Sequence, residues 1–140
     1  MVADLETVRD RESRIRGYVR DLREFARISD ADFRQNRERQ YAVLHALQLA
    51  IEASVEIATH VCAADGHGVP ASYAEAFGLL ERAGIVDAPL ADDLKRMARF
   101  RNRIVHFYGD LDTTEVYAIL QQRLGDFDRY LAAIERYLGA

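Results

Sequence analysis

The sequence predicts an all-α fold, an up-and-down antiparallel helical bundle of four long helices and one short one. Three observations carry this. Only two prolines occur in 140 residues, and both, Pro70 and Pro89, fall at breaks in the apolar pattern. The long stretches outside those breaks are rich in Ala, Leu, Arg and Glu, all strong helix formers. Apolar residues recur there at steps of three and four, which places them on one helix face. Brief connectors then make successive helices antiparallel neighbours.

The first helix is expected from about Asp4 to Ile28, with Val8, Ile15, Val19, Leu22 and Phe25 facing inward. A second starts near Asp30, a plausible N-cap, and runs to about Ala64. Its core stripe is Tyr41, Leu44, Leu47, Ile51, Val55, Ala58 and Cys62, flanked by a polar strip of His45, Gln48, Glu52 and Glu56. After the loop "DGHGVPAS", Ser72 caps a short helix, with Glu75 three residues later in the capping-box position and Gly84 as its C′ stop. A fourth helix follows Pro89 and carries "LADDLKRMARFRNRIVHF". After "YGDLD", Thr113 or Thr114 opens the last helix, through about Leu138, and Asp112 is a candidate cap.

At this length the chain is one domain, residues 1–140, able to bury roughly two thirds of its unfolded surface. A single cysteine, Cys62, excludes a disulfide framework within one chain and reads as a small buried hydrophobe. The charged start lacks the apolar core of a signal peptide, and no stretch approaches the ~18 uncharged apolar residues of a membrane span. A cytoplasmic location with no membrane partner is the expectation. The net charge is -4, which does not suggest a nucleic-acid binder, but an average hides local fields. The first forty residues mix ten arginines with nine acids, the pattern of a salt-bridged helix surface. From Lys95 to His106 there are five cations (Lys95, Arg96, Arg99, Arg101 and Arg103) and no acid.

That segment contains "FRNRIVHFYGD". On a wheel at 100° per residue, Leu94, Met97, Ala98, Ile104, Val105 and Tyr108 share one broad face, and Arg101 falls inside it. Lys95, Arg99, Asn102, Arg103 and His106 lie opposite. An arginine on a core-facing stripe must find an acceptor, because an unpaired buried guanidinium is very costly. The acceptor is an internal carboxylate such as Glu52 or Glu56, a partner subunit, or a bound phosphate. Ideal geometry sets Arg101 and His106 about 140° apart, so they are not adjacent on a regular helix. Either the helix distorts before Gly109 or the two groups converge through a second chain. Tyr108 reads equally as a residue closing the core or as a reachable hydroxyl.

"RNRIVHFY" resembles the R-x4-H-x-Y signature of HEPN-domain proteins, specifically the HepT-like toxins of bacterial and archaeal toxin–antitoxin pairs. The order of elements is also similar, through "ALQLAIEASVEIATHV", "SYAEAFGLLERAGIV" and "TTEVYAIL". The resemblance implies a HEPN-like bundle acting as a homodimeric, metal-independent endoribonuclease, with motif residues of both subunits facing one cleft. Arg101 and His106 are then the catalytic pair and Asn102 a supporting polar group. It implies no cofactor of the chain's own. ATP is used by a partner, an MntA-like nucleotidyltransferase antitoxin that places AMP on Tyr108. RNA is the implied substrate, with transfer RNA the family's suggestion.

The chemistry suits those roles. Histidine titrates closest to neutral pH and can take or return a proton. Arginine stays cationic and offers a planar fork of donors to phosphate oxygens. One motif histidine per chain leaves the acid and base roles to be shared, and a two-fold dimer supplies two. Lys95, Arg96, Arg99 and Arg103 then form a phosphate-tracking rim, or else a solvated face. The rival reading is a non-catalytic HEPN module that binds nucleotide or pairs with a nucleotidyltransferase. His45, His60 and His67 form no metal-ligand pattern, "GHGVP" lacks a Walker lysine, and "DLD" at 110 to 112 is too short to indicate a cation site.

Overall fold

A computed structural model describes residues 4–139. Seven helices follow one another: α1 (Leu5–Phe25), α2 (Asp30–Gln35), α3 (Arg37–Ala64), α4 (Tyr73–Arg82), α5 (Ala88–Phe107), α6 (Thr113–Gln122) and α7 (Gly125–Tyr137). Their cross-contacts give the direction of each. The Asp4 amide at the start of α1 donates to His60 near the end of α3, whereas Arg39 at the start of α3 lies over the Phe25 ring. So α1 and α3 are antiparallel. Arg101 of α5 meets Glu52 and Tyr108 meets Tyr41, which makes α5 antiparallel to α3. Tyr130 and Tyr137 of α7 reach Ser54 and Asp65, so α7 runs with α3. The result is up, down, up, down, as the sequence predicts.

Local chemistry sets most ends. Asp4, Ser72, Asp87 and Asp112 each accept a backbone N–H of the first turn of the helix they cap. Pro89 lies inside the first turn of α5, where its missing N–H costs nothing. Gly84 takes φ +75° after α4, and the Ile85 amide closes back on the Leu80 carbonyl.

Two expected helices are each split. Ser29, not Asp30, caps α2, and the chain then breaks at Asn36, whose φ is -113° and ψ 90°. The Asn36 side chain accepts from the Arg39 amide and starts a fresh helix. Gln40 bridges the break by donating to the carbonyls of Phe33 and Arg34. The last expected helix breaks at Arg123 and Leu124, and α7 begins without a side-chain cap.

The central element is α3, buried from Val43 to Cys62 on several faces. It is long and apolar enough to cross a membrane by length and composition, but its apolar side chains pack against α1, α2, α4, α5 and α6. Cys62 is buried as a free thiol. Tyr41 departs from its expected core position and is 38% exposed. Val105 and Tyr108 depart likewise: residues 105–110, the last turn of α5 and the turn after it, are all exposed. Phe100, outside the predicted stripe, is buried. It faces α6, lining a groove with Ile119.

Candidate active site

Helix α5 stays regular through Phe107. The distortion that would bring Arg101 and His106 together within one chain is absent among the described residues, and the two side chains diverge. Arg101 turns inward to α3. Its Nε and Nη2 donate to Oε2 of Glu52 at 2.8 and 2.7 Å, and Gln48 donates to the same oxygen at 3.1 Å. The guanidinium lies 4.5 Å from the centre of the Tyr73 ring, a cation–π contact. Its Nη1 donates to Oδ1 of Asn102 at 3.3 Å. Arg101 is therefore held by three neighbours, Glu52, Tyr73 and Asn102, yet keeps 20% of its side chain exposed. Glu56, the other acid offered by the sequence, pairs with Arg11 instead.

His106 is exposed, with its ring 6.3 Å from that of Phe107 and no hydrogen-bond partner among the described residues. Asn102 is exposed on the same helix. Two apolar side chains flank the histidine, Val105 at 44% and Phe107 at 57% exposure. An imidazole open to solvent among exposed apolar groups is unlike a histidine used for packing.

Tyr108 follows the helix and is 37% exposed. Its ring stacks on Tyr41 at 5.4 Å, and its hydroxyl donates to the Tyr41 carbonyl at 3.2 Å. Partial burial, and then the neighbouring Tyr41, push its phenol above the ordinary range. The hydroxyl is protonated near neutral pH, so its use as a nucleophile requires a base from elsewhere. Arg37 braces Tyr41 in turn, donating to its hydroxyl at 2.8 Å and lying 5.6 Å from its ring centre.

The segment that is one-signed in sequence meets acids in the fold. Lys95 pairs with Glu81 of α4 at 3.3 Å and Arg96 with Asp93 at 3.2 Å. Arg103 grips Glu115 of α6 with two bonds of 2.6 and 2.7 Å, which holds that carboxylate below its usual range. Arg99 has no ion pair among the described residues. Arg96, Arg99 and Arg103 line one groove of about 520 Å³ with Phe100, Ile119 and Arg123, while Lys95 lies against α4. Among the described residues no group of three or more His, Cys, Asp or Glu side chains converges.

Tyr73, Tyr41 and Arg37 escape a reading of the sequence as site residues. Tyr73 and Arg37 carry no local signal, and Tyr41 has the spacing of a core residue. The sequence does offer Glu52, as one of two candidate acceptors for Arg101, and Gln48 in the same polar strip.

The four long helices make a HEPN-like bundle, and R-x4-H-x-Y lies at the exposed end of the third of them, α5. Residues 15–134 match the family described as "Ribonuclease HepT-like", and the chain belongs to it. It is 33% identical over 105 residues to the mRNA nuclease HepT of Shewanella oneidensis, spanning 75% of this chain and 79% of that protein. The tRNA nuclease HepT of Aphanizomenon flos-aquae is 30% identical over 121 residues, 86% and 82% of the two chains. Among solved structures, the tri-AMPylated Shewanella oneidensis HEPN toxin in complex with MNT antitoxin superposes with a TM-score of 0.88 at 27% identity. That match covers 95% of this chain and 99% of the other.

Proposed function

We propose that this protein is the ribonuclease toxin of a toxin–antitoxin pair. It acts as a homodimer, cuts RNA without a metal through Arg101 and His106, and is silenced when an MntA-like nucleotidyltransferase uses ATP to place AMP on Tyr108. The observation that carries this reading is the contrast along α5: a guanidinium fixed by Glu52 and Tyr73, and, one and a half turns on, an imidazole left open among exposed apolar side chains. A second copy packed on Val105 and Phe107 brings two histidines into one groove.

In that groove one His106 takes the proton of a ribose 2′-hydroxyl, whose oxygen then bonds to phosphorus. The bond to the 5′ oxygen breaks, and the partner subunit's His106 returns a proton to it. Arg101, with Asn102 beside it, faces the charge that builds on the non-bridging oxygens, a contribution of about 2.7–4 kcal/mol for one preorganised donor. Arg99, the rim cation with no acid to give up, is the first contact for the RNA backbone, and Lys95, Arg96 and Arg103 contribute only as their carboxylates yield. The Shewanella complex is tri-AMPylated and bound to its antitoxin, which supports the same partner chemistry here.

Induced expression tests the proposal. Wild type is expected to arrest growth, and His106→Ala or Arg101→Ala, with helix content intact, to relieve the arrest. A second reading, a non-catalytic pairing module, has one observation in its favour: two donors of Arg101 are already taken by Glu52. Growth unaffected by the wild-type chain selects that module.

A further inference from the structure

Tyr108 is one of two exposed tyrosines that stack on each other, and what surrounds the second is not accounted for by the nuclease. Arg37, at the start of α3, is exposed and has no carboxylate partner among the described residues. Its one side-chain hydrogen bond among the described residues goes from Nη2 to a phenol hydroxyl, that of Tyr41. The other cations around the motif are committed: Arg101 to Glu52, Arg103 to Glu115, Arg96 to Asp93 and Lys95 to Glu81. Arg99, the one remaining, lies nine residues before Tyr108, about 13 Å along the helix axis. Arg37 and Tyr41, one helical turn apart, line the same small cleft as Tyr108 and Gly109, a space of about 40 Å³. One water needs roughly 10–15 Å³ of space measured in this way, so the cleft holds about three waters and admits no nucleoside.

Modification of Tyr108 changes what this cleft must hold. The phenol oxygen attacks the α-phosphorus of ATP, the new O–P bond forms, the bond to the β-phosphate oxygen breaks, and pyrophosphate leaves. The phenol proton passes to a base of the transferring enzyme. The product is a phosphodiester with one negative charge and no proton on the tyrosine oxygen. It can no longer donate to the Tyr41 carbonyl, and its oxygens repel that carbonyl.

We propose that Arg37, braced on Tyr41, is the receiving site for the phosphodiester of AMP-modified Tyr108. The guanidinium exchanges a neutral hydroxyl for an anionic oxygen and breaks no ion pair in doing so. Adenosine, too large for the cleft, is left over the outer surface at the end of the motif, where it blocks RNA. Arg37 thus fixes where the blocking group lies. This inference rests on the modification reading given above.

The test starts with wild type and Arg37→Gln, each treated with the nucleotidyltransferase and ATP and checked by mass for AMP on Tyr108. Both modified proteins are then exposed to a phosphodiesterase, and the recovery of RNA cleavage is followed. Arg37→Gln is expected to accept AMP as wild type does and to lose it faster by a factor of about 1.4 to 5, the range of an exposed ion pair. Arg37→Lys should fall between the two. Equal release rates and equal silencing overturn the inference, as does an Arg37→Gln chain that takes no AMP while wild type does, which would make Arg37 part of the transfer step. If wild type itself takes no AMP on Tyr108, the modification reading falls and this inference with it.

Discussion

Replacing Glu52 by Gln keeps the shape of the side chain and removes the charge that holds Arg101. Both partners are about one-fifth exposed, 20% for Arg101 and 22% for Glu52. That places the pair between an exposed ion pair, worth ~0.2–1 kcal/mol, and a buried one, whose breakage costs ~3–5 kcal/mol. A loss of about 1–2 kcal/mol is expected, because the Tyr73 face and residual water still stabilise the cation. Urea unfolding of wild type, Glu52→Gln, Arg101→Ala and the double variant measures it. If Glu52 acts through Arg101, the double variant loses less than the sum of the single losses, with a coupling of about 1–2 kcal/mol. RNA cleavage by Glu52→Gln should fall by roughly tenfold, less than for Arg101→Ala, since the donor survives but is no longer aimed. Additive stability losses, or a Glu52→Gln chain that cuts RNA as fast as wild type, would mean that Glu52 does not act through Arg101.

Other perturbations have equally definite outcomes. Glu12 is fully buried with one oxygen unpartnered, and burial first, then Glu135, raises its carboxyl above the ordinary 4.5. The folded chain therefore keeps a proton that the unfolded chain has released, and this contribution to stability is lost as pH rises above that value. Glu12→Gln should raise the melting temperature at pH 7 and flatten the decline between pH 5 and 7; a lower melting temperature at pH 7 contradicts the assignment. Phe107→Glu, at a side chain 57% exposed, should shift the chain toward monomer in light scattering and cost less than about 0.5 kcal/mol of monomer stability. An unchanged dimer mass would place the interface elsewhere.

The sequence carries a good deal of this molecule where the determinants are local. Ser72 and Gly84 bound α4 because a cap and a left-handed glycine act within a few residues of themselves. The motif is legible for the same reason, being eight consecutive positions. The break at Asn36 is not legible, because "RQNRERQ" has ordinary helix formers on both sides. What separates α2 from α3 is an asparagine cap together with Gln40 reaching back to two carbonyls. The site's surroundings are also non-local. Tyr73 and Glu52 reach Arg101 from two other helices, and Glu81 and Glu115 discharge Lys95 and Arg103 from α4 and α6. A run of cations in sequence therefore overstates the field it produces in the fold. Tyr41 looks like core by spacing because spacing does not register where the bundle ends.

The proposed function requires Arg101 and His106 to cleave RNA without a metal. Purified wild type, incubated with RNA in excess chelator, measures this directly when run beside His106→Ala and Arg101→Ala of the same melting temperature. Cleavage by wild type alone, undiminished by the chelator, is the predicted result. Cleavage that persists in His106→Ala, or that the chelator abolishes, contradicts it.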